Sequence, residues 1–412
     1  MATTHSDRGH ELLHGARVLR GGPGWLVRLL GGRGEALLDR IDSGLVSGSI
    51  DLTLPDGTFR KLGGRSSGFE ATVHLRSWRG LLRAATAGSV GVYQGWEAGD
   101  WTSAVPVQLF AIFVATAVSL GDVARAHGPW RWLGRALHLI RRNNRAGSRR
   151  NIHAHYDLGN DFYEAWLDPE LVYSSARFDG RAPDLATGQQ HKLKTIADRI
   201  AGAKSVLEIG CGWGALAQQL HQSGMAVTAI SLSEEQLAWA RERRNPAIDF
   251  RRKDYREMAG QYDAVASVEM VEAVGQQYWP DFFDCLTRNL NPGGRAAIQY
   301  IAIRDELFEA YAASADFIQT YVFPGGMLVS EAAFKRLAAE RGLDWCDPVS
   351  FGGDYAETLR IWRENFDAAV VKRRLPAGFD DRFIRLWRFY LMYCEGGFRG
   401  GGIDVRQVTL VK

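Results

Sequence analysis

A chain of 412 residues with 46% hydrophobic side chains and a net charge of +3 holds enough apolar material for two packed domains, and too little net charge to name a partner. Its four cysteines, Cys211, Cys285, Cys346 and Cys394, lie far apart with no C-x-x-C pair, which argues against a zinc site or a disulfide framework and for a reducing cytoplasm. The polar, mixed-charge start from Met1 to Gly9 lacks the apolar core of a signal peptide.

From Leu12 to Ile41, apolar helical pieces such as Trp25 to Leu30 alternate with Gly-Gly breaks and arginines. Leu52 to Leu54 and Thr58 to Leu62 flank Pro55-Asp56-Gly57, turn chemistry that predicts a hairpin, and Glu70 to Leu75 alternates like a further strand. These pieces predict a small α+β domain over residues 1–145, without a catalytic constellation. Pro106 to Leu120 is the most apolar run but falls short of the ~20 residues that span a bilayer, so it reads as a buried helix, with a lipid-contacting helix as the alternative. Between Arg125 and Arg150 every charged side chain is arginine, interleaved with Trp130, Trp132, Leu133, Leu137 and Ile140. A solvated linker is the plain reading. An anionic membrane surface suits the aliphatic partners better than nucleic acid, for which no stacking platform is present.

Beyond Arg150 the pattern is that of an α/β domain, residues 146–412, with strands predicted at 205–209, 225–230, 248–251, 262–268, 296–303, 343–347 and 404–411. The fold class is a doubly wound sheet of seven strands. A helical insertion over about 304–393 is expected to cover the carboxyl ends of the strands, where open α/β sheets bind ligands. In Glu208-Ile209-Gly210-Cys211-Gly212-Trp213-Gly214 an apolar strand breaks at three glycines and passes into a helical run from Ala215. That is a nucleotide-type cofactor turn. A dinucleotide site would want an acid after the second strand, where Ser231-Leu232-Ser233 stands. With Glu208 two residues before the first glycine, the arrangement resembles motif I of class I S-adenosylmethionine-dependent methyltransferases, leaving a nicotinamide enzyme and a structural glycine turn as alternatives. That resemblance implies that the last strand is antiparallel and that Pro292-Gly293-Gly294 opens the fifth.

Further segments resemble the cyclopropane-fatty-acyl-phospholipid synthases and mycolic acid cyclopropane synthases, which are class I S-adenosylmethionine-dependent methyltransferases. They are Asn151 to Tyr163, Leu171 to Ser175, the glycine turn, Ser231 to Gln236, Val268 to Gly275, Tyr321 to Gly326, Phe351 to Tyr355 and Glu395 to Arg399, with Ser89 to Trp96 resembling the N-terminal lipid-binding part of the phospholipid enzymes. The resemblance implies S-adenosylmethionine contacts from Tyr173, Ser174, Glu208, Gly210, Cys211, Gly212, Gly214, Ser231, Leu232, Ser233, Gln236, Asp254 and Tyr255. It implies phospholipid acyl chains and an anionic membrane surface as partners, on the inner face of the cell membrane. No metal and no nucleic acid are expected, and a homodimer stays open.

In that family a cis double bond attacks the sulfonium methyl, and the resulting carbocation must lose a proton to a base shielded from water. The base is a bound bicarbonate gripped by a glutamate, a tyrosine, a cysteine, a histidine and a backbone group. Carried over, these positions are Glu272, Tyr355, Ser175, Gln299 and Ile301, so two cage side chains depart from the pattern while keeping hydrogen-bonding capacity. A cyclopropane is the leading product. A methylene- or methyl-branched alkene comes from the same cation by loss of a different proton. A small-molecule or nucleic-acid methyltransferase, and a lipid-binding protein whose cage has decayed, are the other readings. Glu269, three residues before Glu272, is assigned a structural role at a helix start. His153 and His155 read as satisfied histidines, Trp213 and Trp279 as packing, and Glu395 stays undecided between a site carboxylate and an exposed charge.

Overall fold

The structure, a computed structural model, describes residues 8–9, 12–13, 31–121, 158–313 and 316–412. The arginine-tryptophan stretch, most of the segment before Gly31, and Asn151 to Asp157 with His153 and His155 lie outside the described residues. Two compact units are present. The first takes the described residues before position 122 together with Glu306–Pro324 and Gly378–Ile403; the second takes the rest.

In the first unit four strands, β1 (Ser49–Thr53), β2 (Phe59–Gly63), β3 (Glu70–Leu75) and β4 (Trp101–Ser103), form a sheet of order β2-β1-β3-β4. The β1–β2 hairpin closes as its turn residues predict. Gly57 sits at φ +88, its N–H bonds the Leu54 carbonyl at 2.9 Å, and Asp56 Oδ1 accepts from Thr58 N at 2.9 Å. The apolar run forms a helix over Pro106–Ala115, a break at Thr116 and a short turn Ala117–Leu120. It is a core helix: Val107, Leu109, Phe110, Ala111 and Ile112 are buried. Helix Asp381–Arg399 lies directly against it. A Cβ at Gly396 would stand 2.4 Å from that of Phe110, and one at Gly400, just past the helix, 2.6 Å from the Ala111 carbonyl oxygen, so glycine is what permits the approach. Among the described residues no helix is long and apolar enough to cross a membrane.

The second unit holds β5 (Ser205–Ile209), β6 (Ala226–Ser231), β7 (Asp249–Arg252), β8 (Tyr262–Val268), β9 (Leu290–Ile303), β10 (Val329–Ser330), β11 (Asp344–Ser350) and β12 (Ile403–Val411). Their order is β11-β12-β9-β8-β5-β6-β7, with β10 added beside β9. β5 through β9 run parallel. β11 and β12 are antiparallel, and the contacts Gly293–Lys412 and Gln299–Gln407 run in opposite senses, so β12 opposes β9 as well. This is the expected class I methyltransferase sheet.

Two details differ from the sequence reading. Pro292-Gly293-Gly294 lies inside β9, because the Gly293 N–H and the Gly294 carbonyl both bond the Lys412 backbone. The 304–393 stretch does not stay with one unit: Phe317–Tyr321 and Asp381–Arg399 belong to the first, Glu331–Ala339 and Gly352–Val371 to the second. The second unit's core is the apolar set Ile196, Val206, Leu216, Leu220, Ala229, Leu237 and Ala266, which clamps its helices onto the sheet.

Candidate active site

The cofactor turn follows β5. Gly210, Gly212 and Gly214 all take positive φ (+83, +52 and +77), which a side chain would resist. The N–H groups of Gly210 and Cys211 both bond the Ile230 carbonyl at 3.0 Å, tying the turn to the end of β6, where Ser231, Leu232 and Ser233 follow. Ser233 caps helix Glu234–Arg243 through Gln236 N, and the Ser231 hydroxyl meets Gln236 Oε1 at 3.4 Å. Glu208 ends buried with Oε2 unpartnered, and burial pushes its carboxyl up to about 8 despite the Arg244 and Lys192 charges. A buried acid with one oxygen unpartnered beside an open glycine cradle fits the cationic methionine end of S-adenosylmethionine; a Cβ at Gly212 would meet nothing within 4 Å.

The opposite wall of this region comes from the loop after β8, the strand beside β5. Met270 packs against Gly210, so closely that a Cβ there would stand 2.9 Å from its Cγ. Glu269 and Glu272 flank Met270. The structure gathers the predicted cage residues here, but around a different centre. Glu269 Oε1 accepts from the Ser175 N–H at 2.9 Å and from Gln299 Nε2 at 2.8 Å, and Glu269 Oε2 accepts from the Tyr355 hydroxyl at 2.7 Å. Glu272 Oε1 instead takes the Ile301 N–H, and Glu272 Oε2 is buried without a partner.

Three sequence assignments change accordingly. Glu269 is not a helix-start charge but the hub of the cage. The Ser175 hydroxyl, expected to face an anion, donates to the Ala176 carbonyl at 2.8 Å, and its backbone N–H does the cage work. The donors expected to hold a bicarbonate, from Ser175, Gln299, Tyr355 and Ile301, are all engaged by Glu269 and Glu272, so these residues do not fit a separate anion.

Neighbouring groups fix both ends of the arrangement. Gln407 Nε2 donates to Gln299 Oε1 at 3.0 Å while Gln407 Oε1 accepts from the Thr195 hydroxyl at 3.2 Å, which orients the Gln299 amide with its NH2 toward Glu269. Lys192, fully buried, donates to the Ser174 hydroxyl at 2.6 Å, and Gln189 donates to the Ser174 carbonyl at 2.8 Å, holding Tyr173 to Ser175 in place. Burial lowers the Lys192 ammonium to about 8 against the pull of Glu269, Asp168 and Glu208. Sequence reasoning missed Lys192, although its place on the apolar face of helix Leu185–Arg199, beside Gln189, Leu193 and Ile196, was a readable signal.

Burial also raises both cage carboxyls, Glu272 to about 8 with the Glu269 charge adding to the effect. Glu269 has three donors and the Lys192 charge to keep it ionised, so Glu272 is the protonated partner at neutral pH. Farther out, Asp254 at the end of β7 is held by the Arg256 guanidinium at 2.6 and 2.9 Å, and the Tyr255 ring packs on Phe282. Tyr173 packs on Trp362 in a tilted arrangement, with ring centroids 5.3 Å apart. Trp213 and Trp279 are buried. Glu395, in the first unit, is buried and paired with Arg399 at 2.8 Å, not an exposed charge.

Residues 143–408 match the family mycolic acid cyclopropane synthetase. The chain is 36% identical over 360 residues to the tuberculostearic acid methyltransferase of Mycobacterium tuberculosis, covering 80% of each chain. It is 34% identical over 261 residues to the cyclopropane-fatty-acyl-phospholipid synthase of Escherichia coli, covering 62% of this chain and 66% of that one. A solved mycolic acid cyclopropane synthase complexed with SAH and CTAB superposes with a TM-score of 0.59 at 26% identity, over 64% of this chain and 98% of the other.

Proposed function

The chain belongs to the mycolic acid cyclopropane synthetase family of S-adenosylmethionine-dependent methyltransferases, and from that premise we propose that it methylates the cis double bond of unsaturated acyl chains in membrane phospholipids, forming a cyclopropane. One observation carries the reading: a buried carboxylate pair, Glu269 and Glu272, stands at the end of the strand next to the cofactor turn, with Met270 packed on Gly210 between them. Such a site suits a reaction that makes a carbocation and must then remove a proton away from water.

S-adenosylmethionine, when bound, supplies the electrophilic methyl. Glu208 and the glycine turn hold its methionine end, Tyr173 and Ser174 close on it, and Lys192 fixes Ser174 from behind. Tyr355 and Gln299 hold the Glu269 carboxylate in one orientation. We assign the arginine-tryptophan stretch of residues 125–150 to an anionic, cytoplasmic membrane surface, where the substrate resides.

The test is purified protein with S-adenosylmethionine and vesicles of unsaturated, partly anionic phospholipid. A fatty acid heavier by one methylene, with ring protons in its NMR spectrum, is the expected product. Turnover only on soluble acceptors, or cofactor binding without turnover, would sink the reading. A second product is favoured by the 36%-identical relative, which by name is a methyltransferase rather than a cyclopropane synthase and aligns over more of the chain. A branched alkene has the same mass as the ring. NMR separates them.

A further inference from the structure

We propose that the side-chain carboxylate of Glu269 is itself the base that deprotonates the methylated acyl cation, in place of a bound bicarbonate; this rests on the acyl-methylation reading above. The geometry is that of a captured anion. Three donors from three separate segments, the Ser175 N–H, the Gln299 amide and the Tyr355 hydroxyl, converge on the two oxygens of one carboxylate at 2.7–2.9 Å. These are positions at which related enzymes would grip a free ion, and here a covalently attached carboxylate occupies them.

The backbone points the same way. Glu269 has φ +49, one of five non-glycine residues at positive φ among the described residues. A long acidic side chain gains nothing locally from the left-handed region, and such conformations persist where surrounding structure enforces them. Here the enforcing structure is the cage, together with the Glu269 N–H bond to the Gln299 carbonyl at 2.8 Å. Glu272, three residues on, cannot take the same place. Its Oε1 is engaged by the Ile301 N–H and its carbonyl accepts from Met327 N at 2.7 Å.

The step balances as follows. The alkene electron pair forms the new bond to the methyl carbon, and the carbon–sulfur pair leaves with sulfur, giving S-adenosylhomocysteine and a cation on the neighbouring chain carbon. A Glu269 oxygen takes a proton from the added methyl, and the released C–H pair closes the three-membered ring. Taking the proton from the chain carbon instead gives the branched alkene. Glu269 is left as a neutral acid and returns its proton to water after product leaves.

Two measurements test this. Wild-type protein is assayed on unsaturated phospholipid vesicles in buffer stripped of carbon dioxide and again with added bicarbonate; equal rates are expected. Glu269→Gln is expected to lose at least a hundredfold in rate, the scale of a general base, with S-adenosylmethionine affinity and melting temperature kept. Glu269→Gly suits the backbone and empties the cage, so added bicarbonate should restore part of its activity. A wild-type rate that falls when bicarbonate is removed overturns the assignment of the base alone, as does a Glu269→Gln protein within a few-fold of wild type. Wild-type protein that forms no new fatty acid in either buffer overturns the acyl-methylation reading and the base with it. Should Glu269→Gln fail to fold, the bicarbonate response of the wild type decides by itself.

Discussion

Glu208 carries a sign that titration can read. In the ligand-free protein burial holds its carboxyl near 8, yet pairing with the cationic end of S-adenosylmethionine requires the carboxylate. Below about pH 8 binding must therefore expel a proton, so affinity should rise with pH by up to roughly tenfold per unit, about 1.4 kcal/mol. Calorimetry in buffers of different ionisation enthalpy would show that proton, and Glu208→Gln should abolish it while weakening binding most at the alkaline end. A flat pH profile would remove Glu208 from the site. The linkage runs the other way for the empty protein: a carboxyl raised from 4.5 to about 8 in the fold binds more protons folded than unfolded. The contribution of Glu208 and Glu272 to folding stability is thus lost as pH rises through that window.

Gln407 is a positioning residue, and its variants can be ranked. Its amide NH2 occupies the Gln299 carbonyl and so leaves the Gln299 NH2 for Glu269. Gln407→Leu removes two neutral hydrogen bonds, to Gln299 and from Thr195, at about 0.5–1.5 kcal/mol each, together with the contact from Arg177, and frees the Gln299 amide to turn over. Gln407→Glu offers only acceptors and forces that turn, placing a carbonyl against the Glu269 carboxylate. We expect kcat to fall about tenfold in the first and further in the second, with S-adenosylmethionine affinity unchanged in both. Equal effects of the two would reduce Gln407 to packing.

At the scale of elements, the glycine turn and the strand positions were legible because glycine, β-branched residues and turn dipeptides act locally, over a few residues. The cage was half legible. The positions Ser175, Gln299, Tyr355 and Glu272 could be named, but which carboxylate they surround depends on how three distant segments converge, and no spacing encodes that. Glu269 and Glu272 are both compatible with the start of a helix; only the left-handed backbone at Glu269 turns its side chain into the cage. The glycines of the turn likewise look alike in sequence and differ in space. At Gly214 a Cβ would lie 2.8 Å from the Phe250 ring, whereas at Gly212 it would point into open space. Both alanine variants bear the left-handed penalty of roughly 1–2 kcal/mol. Gly214→Ala adds overpacking of about 1–3 kcal/mol and should melt well below Gly212→Ala. Gly212→Ala should fold yet bind S-adenosylmethionine poorly, since its methyl would fill the cradle. Tight cofactor binding by that variant would place the ligand elsewhere.

The whole molecule departs most from a linear reading, because unit membership is not contiguous in sequence. Helix Asp381–Arg399 and the turn Phe317–Tyr321 come late in the chain but belong to the first unit, where Tyr93 lies with ring centroids 5.0 Å from Phe317, 4.7 Å from Tyr321 and 5.1 Å from Phe389. Phe110 stands 5.2 Å from Phe389. The run that carries Phe110 reads as a buried helix, but nothing local says which later residues cover it. A shortened chain beginning at residue 143, where the family match starts, would keep the late segments and lose Tyr93 and Phe110. Each large side chain so uncovered costs roughly 1.5–3 kcal/mol. Exposing the four aromatic residues Phe317, Tyr321, Phe389 and Tyr393, which lie against Tyr93 or Phe110, would consume most of the ~5–15 kcal/mol that stabilises a typical domain. That shortened protein should therefore bind a hydrophobic dye, pellet on concentration and lack a cooperative melt of the full chain's height. A soluble, cooperatively melting product that still binds S-adenosylmethionine would show instead that the second unit and the late helices are stable without the first 142 residues.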